Sequence, residues 1–188
     1  MKKISLKNMK RSRRVALLAG VFFAATTLLA GTAYAATSTV VLTAGTLSLS
    51  APAVGNFGTV TLDGSAKTTS ATVSTFSVND ARGSGAGWNV TVQATQFTMT
   101  GHTLPMGSIA MPAPTVAKAD ATSNAVPSIT AGPYVIDSAS AVKISSAAVD
   151  SGMGSYNFTS GNLTLTIPAN AYAGTYSSTV TVSVVTGP

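Results

Sequence analysis

Thr175-Tyr176-Ser177-Ser178-Thr179-Val180-Thr181-Val182-Ser183-Val184 decides the fold class of this chain. Tyr176, Ser178, Val180, Val182 and Val184 share one parity, and Thr175, Ser177, Thr179, Thr181 and Ser183 share the other. Alternation of period two marks a half-buried antiparallel strand, with one face in a core and one in water. Trp88 to Thr95 repeats the pattern: Trp88, Val90, Val92 and Ala94 face one way, Asn89, Thr91, Gln93 and Thr95 the other. The outward face carries hydroxyls and amides and almost no charge, a surface suited to an exported β domain among polysaccharides.

Working outward, short β-branched runs recur between turn residues. Thr39–Thr43 and Thr46–Ser50, split by Ala44-Gly45, suggest a hairpin. Phe57–Leu62, Ala71–Val78, Trp88–Phe97, Leu163–Ile167 and Thr175–Val185 complete the expected strands. No segment has a helical period, and glutamate, a favoured helix former, is absent. Pro105, Pro112, Pro114, Pro127 and Pro133 break up the middle, since proline cannot donate to a ladder. The expectation is an all-β antiparallel β-sandwich of seven to ten strands. Residues 100–140 form a Pro-rich excursion between its halves, with one or two short edge strands. Trp88, Val90, Val92, Leu163, Leu165, Ile167, Val180 and Val182 are the expected core.

The formal charge of +6 belongs to the leader. Lys2, Lys3, Lys7, Lys10, Arg11, Arg13 and Arg14 precede an apolar run from Val15 to Ala30, and Ala33-Tyr34-Ala35 offers a small-x-small cleavage site. That order predicts a signal peptide over 1–35, by ordinary Sec export although Ser12-Arg13-Arg14 faintly imitates a twin-arginine signal. The run is too short for a bilayer, so no transmembrane segment is expected after cleavage. The remaining 153 residues (188 less 35) make one domain, 36–188, with four cations against five aspartates, a net −1. Nucleic acid is not an expected partner, because the mature chain lacks a basic footprint. Without cysteine the fold has no disulfide and no lipoprotein anchor. Leu104-Pro105-Met106-Gly107-Ser108 lies mid-chain and is not a sortase signal, so surface retention is expected to be non-covalent.

Catalytic readings fail on inventory. His102, the single histidine, lies beside Gly101 in an expected turn, and reads as a solvated loop residue. Five aspartates give a glycosidase little to work with, and no Gly-x-Ser-x-Gly elbow occurs. In the calcium-loop-like stretch Asp80–Gly85, Arg82 stands where a ligand oxygen is wanted. The expectation is a protein that is not an enzyme, with no catalytic residues, metal or cofactor. The glycine-rich connection Asp80–Gly87 is the most specific segment. Asp80 and Arg82 either brace the turn or contact a ligand. Trp88 either fills the core or offers a stacking platform for sugars.

Asp80-Ala81-Arg82-Gly83, then Gly87-Trp88-Asn89-Val90, then a Gly174-Thr175-Tyr176 strand running to Gly187-Pro188, together resemble a WxL domain. The resemblance covers nearly all of 36–188. Val90 stands at the leucine of the first motif. Counting from Tyr176, Val182 stands at the tryptophan of the second motif and Val184 at its leucine. The resemblance implies a small, secreted surface protein of Gram-positive bacteria with a β-rich fold. It also implies non-covalent attachment to the cell wall through peptidoglycan or a wall polymer, and a WxL-interacting companion protein. Asp80, Arg82, Trp88 and Tyr176 are the candidate ligand contacts. The alternative function is a self-assembling subunit of a surface fibre or layer, built by strand addition through the uncharged segments Thr39–Leu42 and Val180–Val184.

Overall fold

The computed structural model describes residues 35–188; the expected signal peptide lies, but for Ala35, outside the described residues. The chain divides into two units, Met1–Val40 and Val41–Pro188. In the first, residues 35–40 are exposed and have no secondary structure. The second holds all fourteen strands and no helix among the described residues.

Three four-stranded antiparallel sheets and one hairpin make up the domain. The first sheet runs β1 (Leu47–Ser50), β3 (Phe76–Asp80), β12 (Gly154–Thr159), β8 (Thr115–Lys118). The second runs β10 (Tyr134–Val135), β7 (Ile109–Met111), β13 (Leu163–Ile167), β2 (Lys67–Ala71). The third runs β14 (Val180–Thr186), β4 (Trp88–Ala94), β11 (Val142–Ala147), β9 (Ser128–Ile129). The hairpin is β5 (Thr98–Met99) with β6 (His102–Thr103).

Alternation drives the packing. Along β4 the even residues Trp88, Val90, Val92 and Ala94 are buried and the odd ones half-exposed. On the first sheet Phe76 and Phe158 stack with centroids 5.0 Å apart. Trp88 of the third sheet meets Tyr156 at 5.9 Å and Phe158 at 6.4 Å, so these two sheets face each other across one core. The all-β sandwich is therefore the architecture, with more and shorter strands than the seven to ten expected. Of the expected core, Trp88, Val90, Val92, Leu163 and Leu165 are buried, whereas Ile167, Val180 and Val182 are half-buried against it.

Several strand boundaries need correction. Residues 39–46 form no strand, so the expected hairpin with Thr46–Ser50 does not exist; β1 pairs with β3 instead. Phe57–Leu62 is not a strand either: Gly58 sits at φ 75°, and the Thr69 hydroxyl takes the Phe57 carbonyl. Ala71–Val78 is two strands parted at 72–75, where Val73 makes a lone bridge to Val54. The last strand begins at Val180 rather than Thr175. The amide of Thr179 bonds the Thr95 hydroxyl at 2.8 Å, and this side chain usurps the place of a backbone acceptor.

The Pro-rich middle is more than an excursion. Its prolines do sit between strands, and β8, β9 and β10 are edge strands as proline-broken segments should be. Yet β7, between Pro105 and Pro112, is interior to its sheet, and Leu104, Ile109, Met111, Tyr134 and Ile136 belong to the core. Buried Asp137 anchors the segment by accepting from the amides of Ser108 at 2.8 Å and Ile109 at 3.0 Å.

Candidate functional site

The Asp80–Gly87 connection is a brace. Arg82 Nε and a terminal nitrogen donate to the two carboxylate oxygens of Asp80, each at 2.8 Å, a paired geometry that suits the planar guanidinium. The same nitrogen donates to the Gly87 carbonyl at 2.8 Å, and the other to the Thr186 hydroxyl at 2.9 Å. One side chain thus ties the end of β3, the glycine loop and the end of β14. Asp80 is 2% exposed. The Arg82 hydrogen bonds, acting against desolvation, hold its carboxyl below the ordinary carboxylate value, and Asp80 in turn raises Arg82. Gly87 has φ 70°, and a Cβ there would come within 2.5 Å of the Ala147 carbonyl. Only glycine fits this turn.

Trp88 is fully buried, and its indole N–H donates to the Gly152 carbonyl at 2.9 Å. A stacking platform needs an open ring face, which Trp88 does not present, so its place is in the core. Tyr176 lies apart from this cluster, beyond the other end of β14. The structure therefore gathers Asp80, Arg82 and Trp88 at one end of the sandwich and puts Tyr176 near the other.

Around Tyr176 the chain builds a groove of about 560 Å³. One wall is Phe57–Leu62 and the other Ala171–Tyr176, with Phe97, Leu104, Leu165 and Ile167 below. Phe57 meets Phe97 edge to face at 5.4 Å. A second hollow of about 740 Å³ shares Phe57, Gly58, Thr59, Phe97 and Tyr176 and continues between Pro52–Asn56 and Ser177–Val180. The two adjoin through these five residues, and their lining residues carry no ionisable carboxylate or cation. Thr59, Thr61 and Thr69 supply hydroxyls.

Its rim is held firmly. Thr98 and Ser177 exchange backbone hydrogen bonds of 3.0 and 2.9 Å, pinning the β5–β6 hairpin to the 171–176 wall. Tyr176 donates its hydroxyl to the Tyr172 carbonyl at 3.1 Å. At the hairpin tip His102 stacks flat on Tyr172, with centroids 3.7 Å apart and planes 16° from parallel. Tyr172 is nonetheless 62% exposed. His102 is thus half-buried and stacked, not the freely solvated histidine expected. The sequence reading missed Phe57, Phe97, His102 and Tyr172. The tyrosines at 172 and 176, flanking Gly174, were the available signal.

Among the described residues no three of His, Cys, Asp or Glu gather as metal ligands. No described helix is long and apolar enough to cross a membrane. A family model described as WxL domain surface cell wall-binding matches residues 36–188. No curated protein and no solved structure matches the chain.

Proposed function

We propose that this chain, which belongs to the WxL domain family, is a secreted, non-enzymatic surface protein that grips the glycan of peptidoglycan in the Tyr172–Tyr176 groove. The family is one of surface cell wall-binding domains, and wall association follows from membership. The choice of glycan rests on one observation, the uncharged groove and adjoining hollow with aromatic rings and threonine hydroxyls along their walls. Sugar rings offer apolar faces to aromatic side chains and hydroxyls to polar ones, which is the mixed lining that small-ligand sites use. A polyanionic wall polymer would call for cations that the lining residues do not provide.

Tyr172→Ala is expected to weaken retention on purified peptidoglycan by about tenfold, the loss typical of one aromatic anchor. Its melting temperature should match the parent, because the ring is mostly exposed. Full retention by the variant would remove the groove from the proposal. Retention should also change little as salt rises, given a net charge of −1 over residues 36–188. Walls stripped of secondary polymers should bind as well as intact ones. Loss of binding on stripping would transfer the ligand to those polymers.

Secretion has its own check. The intact mass of protein recovered from the culture should correspond to a chain starting at or near Ala36. A species retaining residues 1–30 would contradict export by cleavage.

A further inference from the structure

The third sheet ends in an open edge. Thr95 N bonds Thr179 O at 2.9 Å and Gly187 N bonds Gly87 O at 3.2 Å, so the odd residues of β14 pair with β4. By alternation, the backbone N–H and C=O groups of Val180, Val182 and Val184 point away from β4. They have no hydrogen-bond partner among the described residues. β14 carries no charged residue, proline or bulge of the kind that protects a sheet edge.

The core is thin at the same corner. β1 is the edge strand of the facing sheet and lies against β14. Inward-facing Val78 and Val92, on the neighbouring strands, are fully buried. Leu47 and Leu49 of β1, and Val180, Val182 and Val184 of β14, are only half-buried. A further strand laid along this corner would cover all five.

The chain carries a segment of that character with nothing to pair with. Val40, Val41 and Leu42 are 82%, 88% and 87% exposed and lie outside any strand. Three consecutive large apolar side chains left in water are costly, and β-branched residues favour a pleated, half-buried setting. Gly45 and Thr46 continue the β1–β3 ladder with Ala81, through bonds of 2.9 and 3.1 Å. Upstream of Gly45, residues 39–43 join no strand and are exposed. We infer that Thr39–Thr43 of one copy adds as a strand to the β14 edge of a second copy. Its backbone pairs with Val180, Val182 and Val184, and Val40 with Leu42, on one parity, closes the β1–β14 corner. This association meets the second hollow only at Val180, leaves Tyr172 uncovered, and would allow one wall-held molecule to recruit another.

Sedimentation and amide exchange of the protein purified from culture test this together, on the parent and on a Val41→Lys/Leu42→Lys double variant. Both substituted residues are exposed, so the variant keeps the fold. The parent should self-associate as concentration rises, with slowed exchange at the Val182 and Val184 amides. The variant should raise the apparent Kd by about tenfold or more and lose that slowing. A parent that stays monomeric to about 1 mM, or a variant that associates as the parent does, would overturn the inference. So would association without protection of these amides. Protection independent of concentration but lost in the variant would place the segment on its own edge, and would also overturn it.

Discussion

Trp88→Ala is expected to lower the unfolding free energy by roughly 3–5 kcal/mol, the range for truncating a large buried aromatic. The ring is fully buried, packs on Tyr156 and Phe158, and spends its one polar atom on the Gly152 carbonyl. The void left behind cannot collapse easily, because Gly152 sits at φ 76° with its Cβ position within 2.6 Å of the indole nitrogen. Gly152 has no side chain to swing in. For a domain of this size such a loss should lower the melting temperature by on the order of 10 °C. Urea melts would show it as a lower midpoint at constant slope. Trp88→Phe should recover most of the packing but leave the Gly152 carbonyl without its donor, at about 1–3 kcal/mol. A Trp88→Ala protein that melts like the parent yet no longer holds the wall would return the ring to the surface.

Asp80→Ala is the second large effect, at about 3 kcal/mol, because removing one partner of a buried pair strands the other. Arg82→Ala should cost a similar amount, since it leaves a buried carboxylate unpaired and frees both Gly87 and Thr186. The pH dependence has a definite sign. Asp80 titrates below its ordinary value of 3.8 in the folded state. Its contribution is therefore fully present above the unfolded pKa, near 4, and is lost as pH falls through the folded one. The parent's advantage over Asp80→Asn should be largest near neutrality and shrink below about pH 4. Urea melts of both proteins at pH 7 and pH 3 measure it, and a gap unchanged by pH would contradict the pairing. Both alanine variants should keep their grip on walls at temperatures below melting. Lost retention at unchanged stability would instead make Arg82 a ligand contact.

What the sequence reveals depends on how local each constraint is. Trp88, Val90 and Val92 read correctly as core because parity is fixed within one strand. Leu163–Ile167 matches β13 to the residue, and it is paired on both sides. Val182, where the resemblance expects a second tryptophan, pairs with Val92 and keeps its inward parity. Failures occur where a distant partner decides. Phe57–Leu62 has strand-forming residues, but Gly58 and the Thr69 hydroxyl turn it into a groove wall. Thr175–Thr179 alternates as cleanly as Val180–Val184, yet the Thr95 side chain ends the ladder there. The brace was half legible, because Asp80 and Arg82 are near in sequence while Thr186 is not. The groove was legible only at Tyr176, since Phe57, Phe97, His102 and Tyr172 meet only in three dimensions. His102 reaches Tyr172 because the hairpin turns at Gly101, with φ 79°, and because Gly174 lets Met99 pass close by.

The place of β4 between β11 and β14 also sets an order of events. Trp88 is in register with Ala147 on one side and Thr186 on the other, both far later in the chain. Such pairings close long loops before any contact rewards them, and all-β domains of this kind fold on the millisecond-to-second scale. β1 can pair with β3 early, but β4 must wait, unpaired, for β11 and β14 to emerge. A nascent chain of this design stays slack and threadable until residues near Thr186 are free, and only then can the centre snap shut around the indole.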